Sequence, residues 1–286
     1  MTIFHILILA IIQGAAELLP VSSSAHVIVA EKLLGLDPTR PEMTLLLVML
    51  HTGTMFAVIC FYWKAWKASF FASGKQFAAF FRLLMLATAL TGAIGLGLKA
   101  VIEKIFLKGT PMAEIEMIFG NLTLISASLA VVGCLILVSG LRTHRASGRG
   151  GDLDVRGACC MGAIQGLCLP FRGFSRSGAT ISTGMILGLS RRQVEEFSFA
   201  LAVVLTPPII AREVLRLLKA QHASAAGALG SGLFLPSLAG MVLSFAAGLL
   251  ALRWLSSWLE KGRWHLFGIY CICASMVAFL LSWSGV

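Results

Sequence analysis

Six stretches of this chain, at roughly 43–63, 77–98, 115–139, 197–211, 233–252 and 264–284, are almost free of charge and meet or approach the length that crosses a bilayer. A helix needs about 20 consecutive apolar residues to span the hydrocarbon core. A chain of 286 residues cannot bury all six in one water-facing fold, because a single core stops growing at about 250–300 residues. Charged residues make up only 13% of the chain, against about 25% in soluble domains, and the mean hydropathy is +0.89. These figures exclude a soluble enzyme, a disulfide-stapled secreted domain and a disordered chain. They imply an all-α polytopic membrane protein with six transmembrane helices. The fourth stretch is short and interrupted by Pro207-Pro208, which predicts a break or kink there.

Two further apolar regions do not read as plain spans. Residues 3–36 break at Glu17, Pro20 and the run Ser22-Ser23-Ser24, with His26 following; residues 157–189 break at Pro170, Arg172, Gly173 and the run Ser175-Arg176-Ser177-Gly178. Arms this short predict two re-entrant helix pairs, whose irregular tips must be satisfied by protein or a wet cavity. The regions also resemble each other: Ile12-Gln13-Gly14, Leu19-Pro20 and a serine run match Ile164-Gln165-Gly166, Leu169-Pro170 and Ser175-Arg176-Ser177. Three candidate spans follow each copy, and an odd number of crossings inverts the second half relative to the first. The expected organisation is one membrane domain, 1–286, made of inverted repeats at 1–140 and 156–286 joined by a cytoplasmic linker at 141–155.

The 23 Lys+Arg against 13 Asp+Glu flank the apolar runs and read as orientation signals, not as a nucleic-acid surface. Lys64, Lys67, Lys75 and Arg82 place the loop after the first span in the cytoplasm, and Arg142, Arg145, Arg149 and Arg156 do the same for the 140–156 loop. The 99–114 loop mixes Lys99, Lys104 and Lys108 with Glu103 and Glu114 and falls outside, as do both termini, while Arg212, Arg216 and Lys219 fit this scheme less well. The first 16 residues lack a basic segment, so they are expected to stay in the mature fold. Seven cysteines with no C-x-x-C pair argue against a disulfide framework or a zinc site.

An ionisable residue at membrane depth is costly and points to function. Glu17, His26, Arg172 and Arg176 meet that description. Gln13 and Glu17 are four apart and share one helix face, where they could hold a cation or orient a water; the alternative is an acid reaching for headgroups. Ser23 and His26 place a hydroxyl and an imidazole within one turn, a pattern suited to nucleophilic or acid–base chemistry, although the serines could simply cap a helix. Arg172 and Arg176 supply planar forks for phosphate oxygens, and Ser175, Ser177 and Thr180 add hydroxyl donors. A helix starting there would direct its amides at an anion. The alternative for the arginine is a structural bridge to Glu17. Together the two tips hold the equipment for phosphate-anhydride hydrolysis at a membrane.

At these residues the chain resembles the undecaprenyl-diphosphate phosphatase family of bacterial membranes. Its first motif appears as Gln13-Gly-Ala-Ala-Glu17-Leu-Leu-Pro20-Val-Ser-Ser23-Ser-Ala-His26, and its second as Gly173-Phe-Ser175-Arg176-Ser177-Gly178-Ala-Thr180; Glu196-Phe-Ser-Phe-Ala-Leu-Ala is also similar. The resemblance covers essentially the whole chain. It implies Glu17, Ser23, His26 and Arg176 as catalytic residues; the residue chemistry itself assigns Arg172, Ser175, Ser177 and Thr180 to the phosphate. It further implies a divalent cation, Mg2+ or Ca2+, at Gln13 and Glu17. The implied reaction converts undecaprenyl diphosphate to undecaprenyl phosphate and inorganic phosphate, recycling the carrier lipid for peptidoglycan synthesis and conferring bacitracin resistance. The implied location is the bacterial inner membrane, with the active site facing the periplasm; a homo-oligomer is left open.

Two departures stand out. Gln13 occupies a position where many members carry Glu, which removes a charge from any cation site. The usual Pro-Gly before Ser-Arg-Ser is replaced by Pro170-Phe171-Arg172-Gly173, which adds an arginine and alters the loop length. The competing assignment is a flippase or anion transporter, because inverted repeats with broken helices are common in transporters.

Overall fold

In lipid an apolar run cannot leave its peptide groups unpaired, so it closes them within itself as a helix. The computed structural model describes residues 2–37, 41–106, 118–145, 150–223 and 231–284. Ten α-helices follow one another there: α1 (Ile3–Leu18), α2 (Ser23–Leu33), α3 (Pro41–Ser69), α4 (Gly74–Val101), α5 (Leu122–Arg145), α6 (Val155–Cys168), α7 (Arg176–Ile186), α8 (Arg191–Ala223), α9 (Ser231–Glu260) and α10 (Trp264–Trp283). A short π-helical turn, Ile102–Phe106, extends α4. Among the described residues the only isolated strand-like pairing joins Gly151 and Leu189, which ties the segment before α6 to the turn after α7. Lys108, Glu114 and Arg149, used above to orient loops, lie outside the described residues, as does the start of the third apolar stretch.

Six of the helices, α3, α4, α5, α8, α9 and α10, are long and apolar enough to cross a membrane. They match the six apolar stretches, with one correction. The break expected at Pro207-Pro208 is not there: α8 is a single helix that contains both prolines. Two adjacent prolines remove two N–H donors from one turn, and the helix continues on both sides of the loss, as membrane helices often do. The spans present Phe56, Phe81, Val131, Leu250 and Val277 outward, as a lipid-facing surface requires. The remaining four helices are short; even the 16-residue α1 is only about 24 Å long, less than the roughly 30 Å hydrocarbon core.

The short helices come as two pairs, α1 with α2 and α6 with α7, each wedged among the long ones. α1 lies along α9 and α6 along α4, while α5 pairs with α10 and α3 packs against α8 and α9. Small residues make the two wedge contacts close. A Cβ on Gly14 would stand 2.6 Å from the Ser244 carbonyl oxygen of α9, and one on Gly166 would stand 2.8 Å from the Thr91 carbonyl oxygen of α4. Thr91 also donates to the Gly162 carbonyl (2.8 Å) and accepts from Gln165 Nε2 (3.2 Å). Such polar ties between closely packed backbones are how helices associate where lipid supplies no hydrophobic drive. Gly166→Val is therefore expected to destabilise the protein by about 1–3 kcal/mol, read as a lowered thermal midpoint in detergent. A midpoint unchanged from the parent would show that α4 and α6 can part at no cost.

Elsewhere, Ser126 and Ser275 exchange hydroxyl-to-carbonyl bonds of 2.9 Å each and staple α5 to α10. The indole N–H of Trp264 is shared between Ser139 (3.1 Å) and Ser182 (3.0 Å) and links α10 to α5 and α7.

Candidate active site

The site forms where the tips of the two short-helix pairs meet. α1 ends at Leu18, and the chain turns through Leu19-Pro20-Val21 to Ser22, which adopts φ +67°, the only positive φ at a non-glycine residue among those described. That conformation is disfavoured for an L-residue by roughly 1–2 kcal/mol, and residues held in it cluster at functional sites. It sends the chain directly into α2, so that Ser23, the first helical residue, returns to the end of α1. On the other side Ser175 caps α7 by accepting from the Gly178 amide at 3.2 Å, and Arg176 opens that helix. The tips are sewn together by Ser177 Oγ donating to the Leu19 carbonyl (3.3 Å) and the Gly173 amide donating to Ser24 Oγ (3.4 Å). Gly173 holds φ +95°, and a Cβ there would meet the Ile125 carbonyl at 2.6 Å.

Glu17 is the hub. Its Oε1 accepts from Arg176 Nη2 at 2.9 Å; its Oε2 accepts from Ser23 Oγ at 2.5 Å and from Gln13 Nε2 at 3.2 Å. His51 of α3 completes the ring, with Nε2 4.0 Å from Glu17 Oε2. The Glu17 and Arg176 side chains keep 18% and 21% of their surface exposed, so the cluster is reachable. Both α2 and α7 begin here. Each brings the partial positive charge of a helix N-terminus to the cluster. The arginine uses one of its five N–H donors on Glu17, which leaves the rest of the fork for an anion. Chemically this is a hydroxyl already donating its proton to a carboxylate, beside a cation and two helix N-termini.

The residues singled out by sequence do not all fall into this cluster. Gln13, Glu17, Ser23 and Arg176 meet as expected, and the Arg176–Glu17 bridge weighed as the structural alternative is present. His26 is not on Ser23: its Nδ1 donates to the Ser22 carbonyl (2.8 Å), its Nε2 bonds the Tyr270 hydroxyl (2.7 Å), and the two rings stack at 5.7 Å. An i, i+3 spacing puts two side chains on the same helix side without making them touch, and here the strained Ser22 carbonyl takes the imidazole. Ser175, Ser177 and Thr180 are buried and have internal partners; Thr180 Oγ1 bonds the Arg176 carbonyl (2.9 Å) and Ser198 Oγ (2.6 Å). They brace α7 in the structure as it stands. Arg172 is exposed, with its guanidinium 4.5 Å above the Phe119 ring.

The donor set does not fit a resident divalent cation. Mg2+ and Ca2+ need several anionic or carbonyl oxygens, and Glu17 is the one carboxylate here, already in an ion pair. Gln13 turns its amide nitrogen, not its oxygen, toward it. Among the described residues no three His, Cys, Asp or Glu side chains converge.

His51 was missed by the sequence reading, although the same criterion exposes it: an ionisable residue in the middle of the first apolar stretch. Tyr270 carried no such signal. A second group of buried acids lies on α8, against Tyr62 of α3: Glu195 accepts from Tyr62 (2.5 Å) and from Ser256, and Arg192 donates to Glu196 at 2.7 Å.

Comparison with known proteins matches this arrangement to a family. The model of the bacitracin resistance protein BacA family matches residues 6–277. The chain is 58% identical over 285 residues to Undecaprenyl-diphosphatase 2 of Acinetobacter baylyi, covering 99% of both proteins. It is 34% identical over 298 residues to Undecaprenyl-diphosphatase 1 of Burkholderia pseudomallei (99% of this chain, 97% of that one). With Undecaprenyl-diphosphatase of Rhodopirellula baltica it shares 31% over 280 residues, 98% of each. A match over nearly the whole length, spanning both tips, makes the chain a member of the bacitracin resistance protein BacA family.

Proposed function

We propose that this chain is an undecaprenyl-diphosphate phosphatase, which removes the terminal phosphate of the lipid and returns undecaprenyl phosphate to peptidoglycan synthesis, with bacitracin resistance as a consequence. The observation that carries the proposal is the contact of Ser23 Oγ with Glu17 Oε2, with Arg176 on the other carboxylate oxygen. Mere binding or carriage of a lipid phosphate needs an anion cradle but no hydroxyl poised on a proton acceptor. The names of the relatives support the same reaction.

In this mechanism the terminal phosphate lies against Arg176 and the N-termini of α2 and α7. Glu17 takes the Ser23 proton as Ser23 Oγ attacks the terminal phosphorus in line, and the bridging oxygen leaves with the lipid monophosphate. Phosphoryl transfer spreads negative charge over the equatorial oxygens, so catalysis comes mainly from positioned positive groups. His26 acts at one remove: held between the Ser22 carbonyl and Tyr270, it fixes the turn that aims Ser23. Arg172 is placed to meet a phosphate on its approach.

The two short pairs act as re-entrant hairpins and the halves 1–140 and 156–286 as inverted repeats, supported by the matched wedge contacts of Gly14 and Gly166. The site then opens to the periplasmic side of the inner membrane, with the prenyl tail in lipid. The decisive test is phosphate release from a polyprenyl diphosphate by the purified chain in detergent. Robust turnover supports the enzyme; tight lipid binding without turnover would favour a lipid-phosphate carrier.

Because the described residues offer no site for a divalent cation, any cation the reaction required would arrive with the diphosphate substrate. A chelator is expected to raise KM more than it lowers kcat. Gln13→Glu, which adds an anionic ligand, is expected to lower the Mg2+ or Ca2+ concentration for half-maximal rate by on the order of tenfold. An unchanged cation titration would remove Gln13 from any cation site.

A further inference from the structure

The mechanism above leaves one proton without a carrier, and the structure holds an imidazole in the place to take it. We propose that His51 of α3 is the general base that activates water in the second half of the reaction, so that Ser23, Glu17 and His51 form a triad with the carboxylate in the middle. This rests on the diphosphatase assignment and deepens it.

Three observations carry the inference. First, the His51 Nδ1 atom lies 2.8 Å from the Leu47 carbonyl. A carbonyl only accepts, so Nδ1 keeps its proton, and Nε2, with its lone pair, is the nitrogen turned to Glu17 Oε2 at 4.0 Å. Two acceptors 4.0 Å apart are too far to share a proton directly, which leaves Nε2 open to a water at the site. Second, His26, the imidazole that the sequence offered for this work, has both nitrogens engaged, one by the Ser22 carbonyl and one by the Tyr270 hydroxyl. Third, His51 is held on a rigid element and yet is reachable. It sits mid-helix, two residues before Gly53, whose Cβ position lies 2.3 Å from the Met241 carbonyl of α9, while 35% of its own side chain stays exposed.

The bonds balance as follows. In the first half, the Ser23 O–H proton passes to Glu17, an Oγ–P bond forms, and the bridging P–O bond breaks with its electron pair leaving on the lipid monophosphate. In the second half, a water oxygen bonds the phosphorus of phosphoserine while one of its protons goes to His51 Nε2. The Oγ–P bond breaks, its electron pair returns to Oγ, and Glu17 gives back the proton it took. Inorganic phosphate departs, and His51 releases its proton to solvent. Arg176 stays on the phosphoryl oxygens in both halves.

The test uses the full chain in detergent with a polyprenyl diphosphate labelled in its terminal phosphate, quenched in acid. His51→Gln is expected to lower kcat by about 10²-fold or more, with KM within about twofold. Labelled phosphate should then accumulate on Ser23, because attack persists while hydrolysis of the intermediate stalls. Ser23→Ala should show no label. Gel filtration and the thermal midpoint of His51→Gln, and of His51→Asn as a second variant, separate lost chemistry from lost fold. Turnover within about threefold of the parent in either folded variant, or lost turnover in a folded variant with no label on the chain, would overturn the role of His51. Absence of phosphate release by the parent itself would instead defeat the diphosphatase assignment.

Discussion

Arg176→Ala is expected to lower phosphate release by about 10³-fold, the range in which positioned cations and oxyanion donors act on phosphoryl and acyl transfer. Among the described residues the guanidinium is the only Lys or Arg group within ion-pair distance of Glu17, so no neighbouring Lys or Arg substitutes for it. Loss should fall chiefly on kcat, because charge on the phosphoryl oxygens grows toward the transition state. Arg176→Lys keeps a charge but loses the planar fork and should recover only part of the rate. Because removing the arginine also leaves Glu17, a partly buried acid, without its ion-pair partner, the thermal midpoint must be followed alongside activity. A folded Arg176→Ala protein turning over within threefold of the parent would end the assignment of this residue to the phosphate.

Glu17→Gln should be nearly as severe, about 10²- to 10⁴-fold in kcat, for a different reason. The amide keeps the size of the side chain and can still accept from Ser23, so the tips should stay docked, but it cannot take the serine proton. Ser23→Ala removes the other member of that pair. If the two act as one unit, the double variant Glu17→Gln/Ser23→Ala will be no slower than the worse single one, as is usual for groups that work together. Rates that multiply would mean that Ser23 and Glu17 act on separate steps. The comparison needs only the same phosphate-release assay and discriminates sharply between those cases.

Much of the architecture was legible because lipid enforces simple rules. Apolar length located the six long helices, and broken arms with polar centres located the two short pairs. Pro207-Pro208 was read as a break or kink; the break does not occur, because α8 absorbs two missing donors and stays helical on both sides. At the site, contacts within one motif were partly readable: Gln13 and Glu17 meet because residues four apart share a helix face. The partner of His26 was not readable, since Tyr270 lies 244 positions away and no local spacing encodes it. The roles of Ser175, Ser177 and Thr180 were hidden for a related reason. Hydroxyls can serve an outside ligand or the backbone beside them, and their bonds within the protein depend on how α7 is buried, which local sequence does not encode. His51 differs from both, for its signal was present in the sequence and passed over.

The carboxylate and hydroxyl of the site lie within the first 23 residues, and the arginine that completes it is residue 176. During synthesis the early tip is therefore threaded into the membrane long before its counterpart leaves the ribosome. Until then Glu17 has no cation and Ser23 no anion cradle to work with. A chain under construction is chemically silent toward the lipid around it, and competence arrives in one event, when α7 docks against α1 and α2. On the proposed mechanism, hydrolysis therefore waits for α7 and not for the first tip.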